Sequence, residues 1–310
     1  MKITTRSLIA IGVIAGFFSP QGHTGVPNVA VDILPVASLV SQVMGDLGQP
    51  RLIVPAGVSP HDYAMRPSEA RTLQNADIVF WVGRDLTVGL ARSIKALATN
   101  AVSVSLIDVP GITLLPFRHG ATFEAHDHEA HDDEAHDRNG GTDPHVWLDP
   151  ENAQVWLEVI AAELAKLDPD NASSYLHRAR VGRNRLKELT RHLSAQLAPI
   201  RGRPFVVFHD AYQYFEHRFD IRAVGSIVLS EAYDPGPARI VEIRDAVLKL
   251  EVNCVFAEPQ FEPKLIATVI EGTDARSGTL DPLGTSLQAG PDLYSQLLRN
   301  LVRDLEDCLE

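Results

Sequence analysis

Short apolar blocks alternate with amphipathic stretches along most of this chain. Val29 to Leu34 reads as a buried strand, and Pro35, whose missing N–H does no harm in a first turn, opens a helix that runs to Leu47. Arg51 to Val54 is a second short strand, Pro67 to Gln74 a helix, and Ala76 to Val82 a strongly apolar strand. Leu86 to Ala98 and Val102 to Ile107 continue the alternation as helix and strand. A βαβα series of this kind predicts a mostly parallel sheet covered by helices.

The rhythm then changes. From His119 to Asn139 there are histidines, acids and alanine and almost nothing apolar, so this stretch cannot bury enough surface to offset its ordering entropy. It is expected to be a disordered insertion. Asp149 caps a helix through Leu167 whose apolar positions (Ala153, Trp156, Leu157, Ile160, Leu164 and Leu167) keep helical spacing. A second helix, from about Asp170 to Leu197, carries the stripe Leu186, Leu189, Leu193 and Leu197. At roughly 40 Å by helical rise it is long enough to be a strut between two lobes.

Alternation resumes with strands at Pro204 to Phe208, Ile221 to Val228, Cys254 to Ala257 and Gly278 to Leu280. Helices are predicted at Tyr212 to Arg218, Pro237 to Leu250, Pro263 to Gly272 and Pro291 to Leu309. The predicted class is α/β with two lobes, each a mostly parallel sheet flanked by helices, joined by one long helix. The expected division is 26–168 for the first lobe (with 119–139 as its insertion), 169–199 for the linking helix and 200–310 for the second lobe.

Composition narrows the function. The 310 residues are 45% hydrophobic and 22% charged, as in a soluble globular protein, and can build a core without metal or disulfide. A net charge of -12 argues against a nucleic-acid or anionic-membrane partner. Lys2 and Arg6 followed by the apolar run Leu8 to Phe18 form the n- and h-regions of a signal peptide, so residues 1–25 are set aside from the fold. No cysteine lies there, so an exported, periplasmic chain without a lipid anchor is expected. The only cysteines are Cys254 and Cys308; an even pair in an exported chain favours a disulfide over two buried thiols.

Candidate chemistry sits at element ends. His61 lies in the turn-rich Gly57-Val58-Ser59-Pro60-His61-Asp62-Tyr63, and His145 in Asp143-Pro144-His145-Val146-Trp147-Leu148-Asp149-Pro150, before a capped helix. His209 follows the apolar strand Phe205-Val206-Val207-Phe208, and Asp281 follows Gly278-Thr279-Leu280. Ligands of open α/β sheets bind outside the carboxyl ends of strands, where His209 and Asp281 stand. Three imidazoles and a carboxylate suit tetrahedral Zn2+ better than manganese or calcium, which prefer oxygen. Glu258, also at a strand end, either orients a ligand or lines the cleft, or is a structural carboxylate held by backbone N–H groups. His119, His126, His128, His131 and His136, interleaved with acids, form a second, weaker metal-capturing tract.

Ser59-Pro60-His61-Asp62-Tyr63, the Asp143 to Pro150 stretch, Phe208-His209-Asp210-Ala211-Tyr212-Gln213-Tyr214-Phe215 and Phe256-Ala257-Glu258-Pro259-Gln260-Phe261 together resemble the cluster A-I metal-binding proteins of ATP-binding-cassette importers. The resemblance spans essentially the whole mature chain. It implies two α/β lobes joined by a rigid helix, with metal in the cleft held by His61 and His145 from the first lobe and His209 and Asp281 from the second. The Asp281 match rests only on the short Asp281-Pro282-Leu283-Gly284 stretch, and some zinc-type members complete the shell with water or another carboxylate. Histidine at the third position resembles the zinc-type members, as do the cysteine pair and the histidine-rich loop. Implied partners are the zinc ion and the membrane permease of an ABC importer; a periplasmic metallochaperone is a further candidate, and a monomer is expected. Competing readings are a manganese importer protein of the same fold, a zinc-dependent hydrolase and an adhesin-like or buffering protein. Against the hydrolase, the chain has no His-Glu-x-x-His helix, no nucleophile elbow and no obvious general base beside a ligand.

Overall fold

A computed structural model describes residues 25–118, 122–123, 141–228, 236–261 and 264–310. Residues 1–24 of the expected signal peptide and all five tract histidines, His119, His126, His128, His131 and His136, lie outside these residues.

Four parallel strands form the first sheet: β1 (Val29–Val31), β2 (Arg51–Leu52), β3 (Ile78–Trp81) and β4 (Val102–Ser105), in the order β2-β1-β3-β4. The second contains β5 (Phe205–His209), β6 (Ala223–Val228), β7 (Cys254–Ala257) and β8 (Arg276–Thr279), in the order β6-β5-β7-β8. The two orders are the same topology offset by four strands. Each sheet therefore has one switch point, between β1 and β3 and between β5 and β7, where crevices open at the strands' carboxyl ends.

Helices α1 (Leu34–Met44), α2 (Pro67–Gln74) and α3 (Leu90–Leu97) belong to the first half, and α6 (Gln213–Phe219), α7 (Pro237–Lys249), α8 (Lys264–Ile270) and α9 (Leu293–Leu309) to the second. Between them run α4 (Pro150–Leu167), capped as expected by the Asp149 side chain on the Glu151 N–H, and α5 (Ala172–Leu197). The 26 residues of α5 span about 39 Å. Several ends depart from the pattern reading, among them α3, which begins at Leu90 rather than Leu86, and β2, which stops at Leu52 rather than Val54. The Asp32 carboxylate accepts the Ile33 N–H and turns the chain out of β1 after Val31. β4 stops at Ser105, and Leu106–Asp108 turns into a 3₁₀ helix whose Leu106 carbonyl accepts the Trp156 indole.

Period-2 alternation sorts the strand side chains between cores. Val29, Val31, Ile78, Phe80, Phe205 and Val207 point into one central core that includes residues of α1, α4, α5 and α9 and spans both halves. Ala30, Val79 and Trp81 face a satellite core under α2 and α3; Val206, Phe208 and Val255 face another under α7 and α8. A disulfide joins Cys254 in β7 to Cys308 in α9, closing a separation of 54 residues. The loop-entropy model puts its stabilisation at about 4 kcal/mol.

Candidate metal centre

Three segments far apart in sequence bring imidazoles to one point. His209 is the last residue of β5, at the switch point of the second sheet. The β5–β7 register pairs Phe205 with Cys254 and Val206 with Val255, so its continuation sets His209 against Glu258; Glu258 Oε1 lies 2.6 Å from His209 Nδ1. His145 precedes the 3₁₀ turn Val146–Leu148, and Asp143 Oδ1 accepts both its backbone N–H at 3.0 Å and its Nδ1 at 2.7 Å. His61 lies in the loop after β2, where its N–H donates to Ser59 Oγ at 3.2 Å and Tyr63 ties the same loop to the Ile53 carbonyl. His145 and His209 are buried; His61 is half-buried.

His61 Nε2 and His209 Nε2 each lie 3.2 Å from His145 Nε2, and the three ligand atoms are all within 4.8 Å of one another. Burial holds the His145 pKa well below 6.5, with the nearby His209 adding to the depression, so its ring is neutral at pH 7. Burial likewise raises the Asp143 carboxyl to about 7, against the pull of the His145 N–H and of Arg118. When ionised, these carboxylates only accept, which puts the single ring hydrogens of His145 and His209 on Nδ1 and turns both Nε2 lone pairs inward. Lone pairs facing at 3.2 Å repel unless they share a cation. Zinc bonds of 2.0–2.1 Å in a tetrahedron would separate nitrogens by about 3.3–3.4 Å.

Asp281 is not among these mutually close ligand atoms. Its oxygens accept the N–H groups of Leu283, Gly284 and Thr285 at 3.1, 2.8 and 2.6 Å and the Thr285 hydroxyl at 2.8 Å. Asp281-Pro282-Leu283-Gly284-Thr285 is an aspartate-led turn. Glu258, raised as an orienting, cleft-lining or structural carboxylate, bonds His209 Nδ1. Asp143 stands in the same relation to His145, and the sequence signal for it was its place two residues before that histidine.

Two parallel sheets of one topology, a long connecting helix and three imidazoles converging at a switch point define a two-lobed metal-binding protein of the importer-associated kind. The chain belongs to the family described as "ZnuA: Zinc-uptake complex component A periplasmic", which it matches over residues 29–308. It is similar to proteins named high-affinity zinc uptake system protein ZnuA. That of Brucella abortus is 44% identical, covering 100% of this chain and 99% of that protein; that of Paracoccus denitrificans is 40% identical over 98% of each. A ZnuA crystal structure superposes with a TM-score of 0.76 at 24% identity, over 92% of this chain and 100% of that one. The laminin-binding protein of Streptococcus agalactiae, described as bifunctional with adhesin and metal transporting activity, superposes at 0.75 with 25% identity, over 92% and 100%.

Proposed function

We propose that this protein captures zinc in the periplasm and delivers it to the membrane permease of an ABC importer. The observation that carries the reading is the convergence of three imidazole Nε2 atoms, two of them on rings aimed by carboxylates. His61, His145 and His209 hold the ion, and water takes the fourth position, since the Asp281 oxygens serve their own turn. Three nitrogen donors favour zinc over manganese. Three protein ligands and a water also suit a catalytic zinc, so capture and release rather than hydrolysis rests on the family to which the chain belongs. The tract carrying His119, His126, His128, His131 and His136 raises the local zinc concentration. Residues 1–25 direct export, and among the described residues no helix is long and apolar enough to cross a membrane. The mature chain works as a monomer, and a periplasmic metallochaperone is a candidate donor of the ion.

Metal retained after equilibrating apo-protein with equal zinc and manganese, then dialysing, tests this reading. One zinc per chain is expected, lost in His209→Ala and kept in Asp281→Ala. Deleting residues 119–139 should lower the number of ions bound before dialysis and leave the retained one. Retained manganese, or loss of the ion in Asp281→Ala, would overturn the metal or the ligand set respectively.

A further inference from the structure

Residues 115–118 of the first lobe run antiparallel to 141–143: Pro116 bridges Thr142, the Phe117 N–H donates to the Gly141 carbonyl at 3.2 Å and the Asp143 N–H to the Leu115 carbonyl at 2.9 Å. The second of these strands leads straight into Asp143 and His145. From the end of the first, Arg118 reaches into the other lobe. Its Nε donates to both Asp210 oxygens at 3.0 Å, and Nη2 also bonds Asp210 Oδ1. Nη1 and Nη2 donate to the two Glu216 oxygens at 2.8 and 2.9 Å. The guanidinium carbon sits 3.8 Å over the Phe123 ring, and Phe123 is fixed to the outer edge of β6 through its N–H to Val224 and its carbonyl to Arg222.

Asp210 and Glu216 are 7% and 4% exposed, so two carboxylates lie beside each other in a poorly solvated place. One planar, forked cation compensates both, and a fork bonded on two sides tolerates little sliding or rotation. Asp210 directly follows His209. Arg118 therefore connects the backbone leading to one buried ligand with the residue after the other, although those ligands stand 64 positions apart in sequence. A metal site needs its donors held to within about 0.5 Å, and a spacing of 3.2 Å between two lobes is easily lost without such a tie.

We propose that Arg118 is a positioning residue for the metal site, an interlobe clasp that sets the spacing of His145 and His209 and through it the affinity for zinc. The identity of the ion rests on the function proposed above; the clasp does not touch the metal.

Arg118→Gln and Arg118→Lys in the full chain test it. Zinc affinity is read by competition with a chelating dye, ligand geometry by the visible absorption of the Co2+-loaded protein, and folding by circular dichroism. Arg118→Gln should weaken zinc binding about 10–100-fold and alter the Co2+ bands. Arg118→Lys, which keeps the charge without the fork, should recover part of the affinity. A folded Arg118→Gln protein with wild-type affinity and Co2+ spectrum would overturn the proposal, since a purely structural ion pair would lower stability alone. Should Arg118→Gln fail to fold, Arg118→Lys decides: unchanged affinity and spectrum overturn the clasp. Absence of tight zinc binding in the wild type would strike the zinc reading instead, and the Co2+ spectra would still judge Arg118.

Discussion

The two buried imidazoles of the centre are each held from behind by a carboxylate: Asp143 on His145 at 2.7 Å and Glu258 on His209 at 2.6 Å. This fixes the ring rotation, places the hydrogen on Nδ1 and makes Nε2 a better donor to a cation. Glu258→Gln keeps the shape and an oxygen that can accept the Nδ1 hydrogen, but removes the charge. Zinc affinity measured by chelator competition should fall about 10–100-fold while one ion per chain is retained at saturation. Wild-type affinity in this variant would mean that Glu258 is only a structural carboxylate. At this scale the histidines were legible because each is an isolated polar residue at the end of an element. Arg118 was not, because its partners lie 92 and 98 positions away and nothing local marks it.

Among the elements, α5 shows what periodicity can and cannot say. Its buried stripe, Tyr175, Ala179, Gly182, Leu186, Leu189, Leu193 and Leu197, follows helical spacing throughout. The leucines could be read from the sequence, whereas the reason for glycine at 182 comes from packing. A Cβ there would stand 3.0 Å from Gln42 Oε1 and 3.0 Å from Leu157 Cδ1, so α5 closes on α1 and α4 at this point. Gly182→Val gains nothing from its better-than-glycine propensity that offsets this crowding. A lower urea midpoint is expected, equivalent to about 1–3 kcal/mol. An unchanged or higher midpoint would show that α1 and α4 yield freely around the linking helix.

For the whole molecule, the two sheets share a topology but use their switch points differently. In the second, His209 and Glu258 occupy the strand ends and form part of the candidate metal centre. In the first, the corresponding place holds Asp32, a buried carboxylate that accepts the Val82 N–H at 2.6 Å and the Ile33 N–H at 2.8 Å and ties the end of β1 to the residue after β3. Burial raises its pKa from an ordinary 3.8 to about 7, the backbone bonds pulling the other way. A raised carboxyl contributes stability that is fully present below about pH 4 and lost as pH rises through about 7. Urea midpoints of the metal-free wild type should therefore fall relative to those of Asp32→Asn between pH 5 and 8. A difference that stays constant over that range would contradict the assignment.

The sequence by itself determined the succession of strands and helices, because hydrophobic periodicity is a local property, and it marked His61, His145 and His209, because their flanking motifs are contiguous. It also supplied the cysteine pair that the fold joins. Only the tertiary structure decided which carboxylates serve which imidazoles, that the two lobes share one core, and that Asp281 turns back on its own loop. Those outcomes depend on strand register and on packing between segments dozens of residues apart, where local pattern carries no distance information. A strand-end aspartate facing a cleft and one capping its own turn read alike until the neighbouring N–H groups are in place.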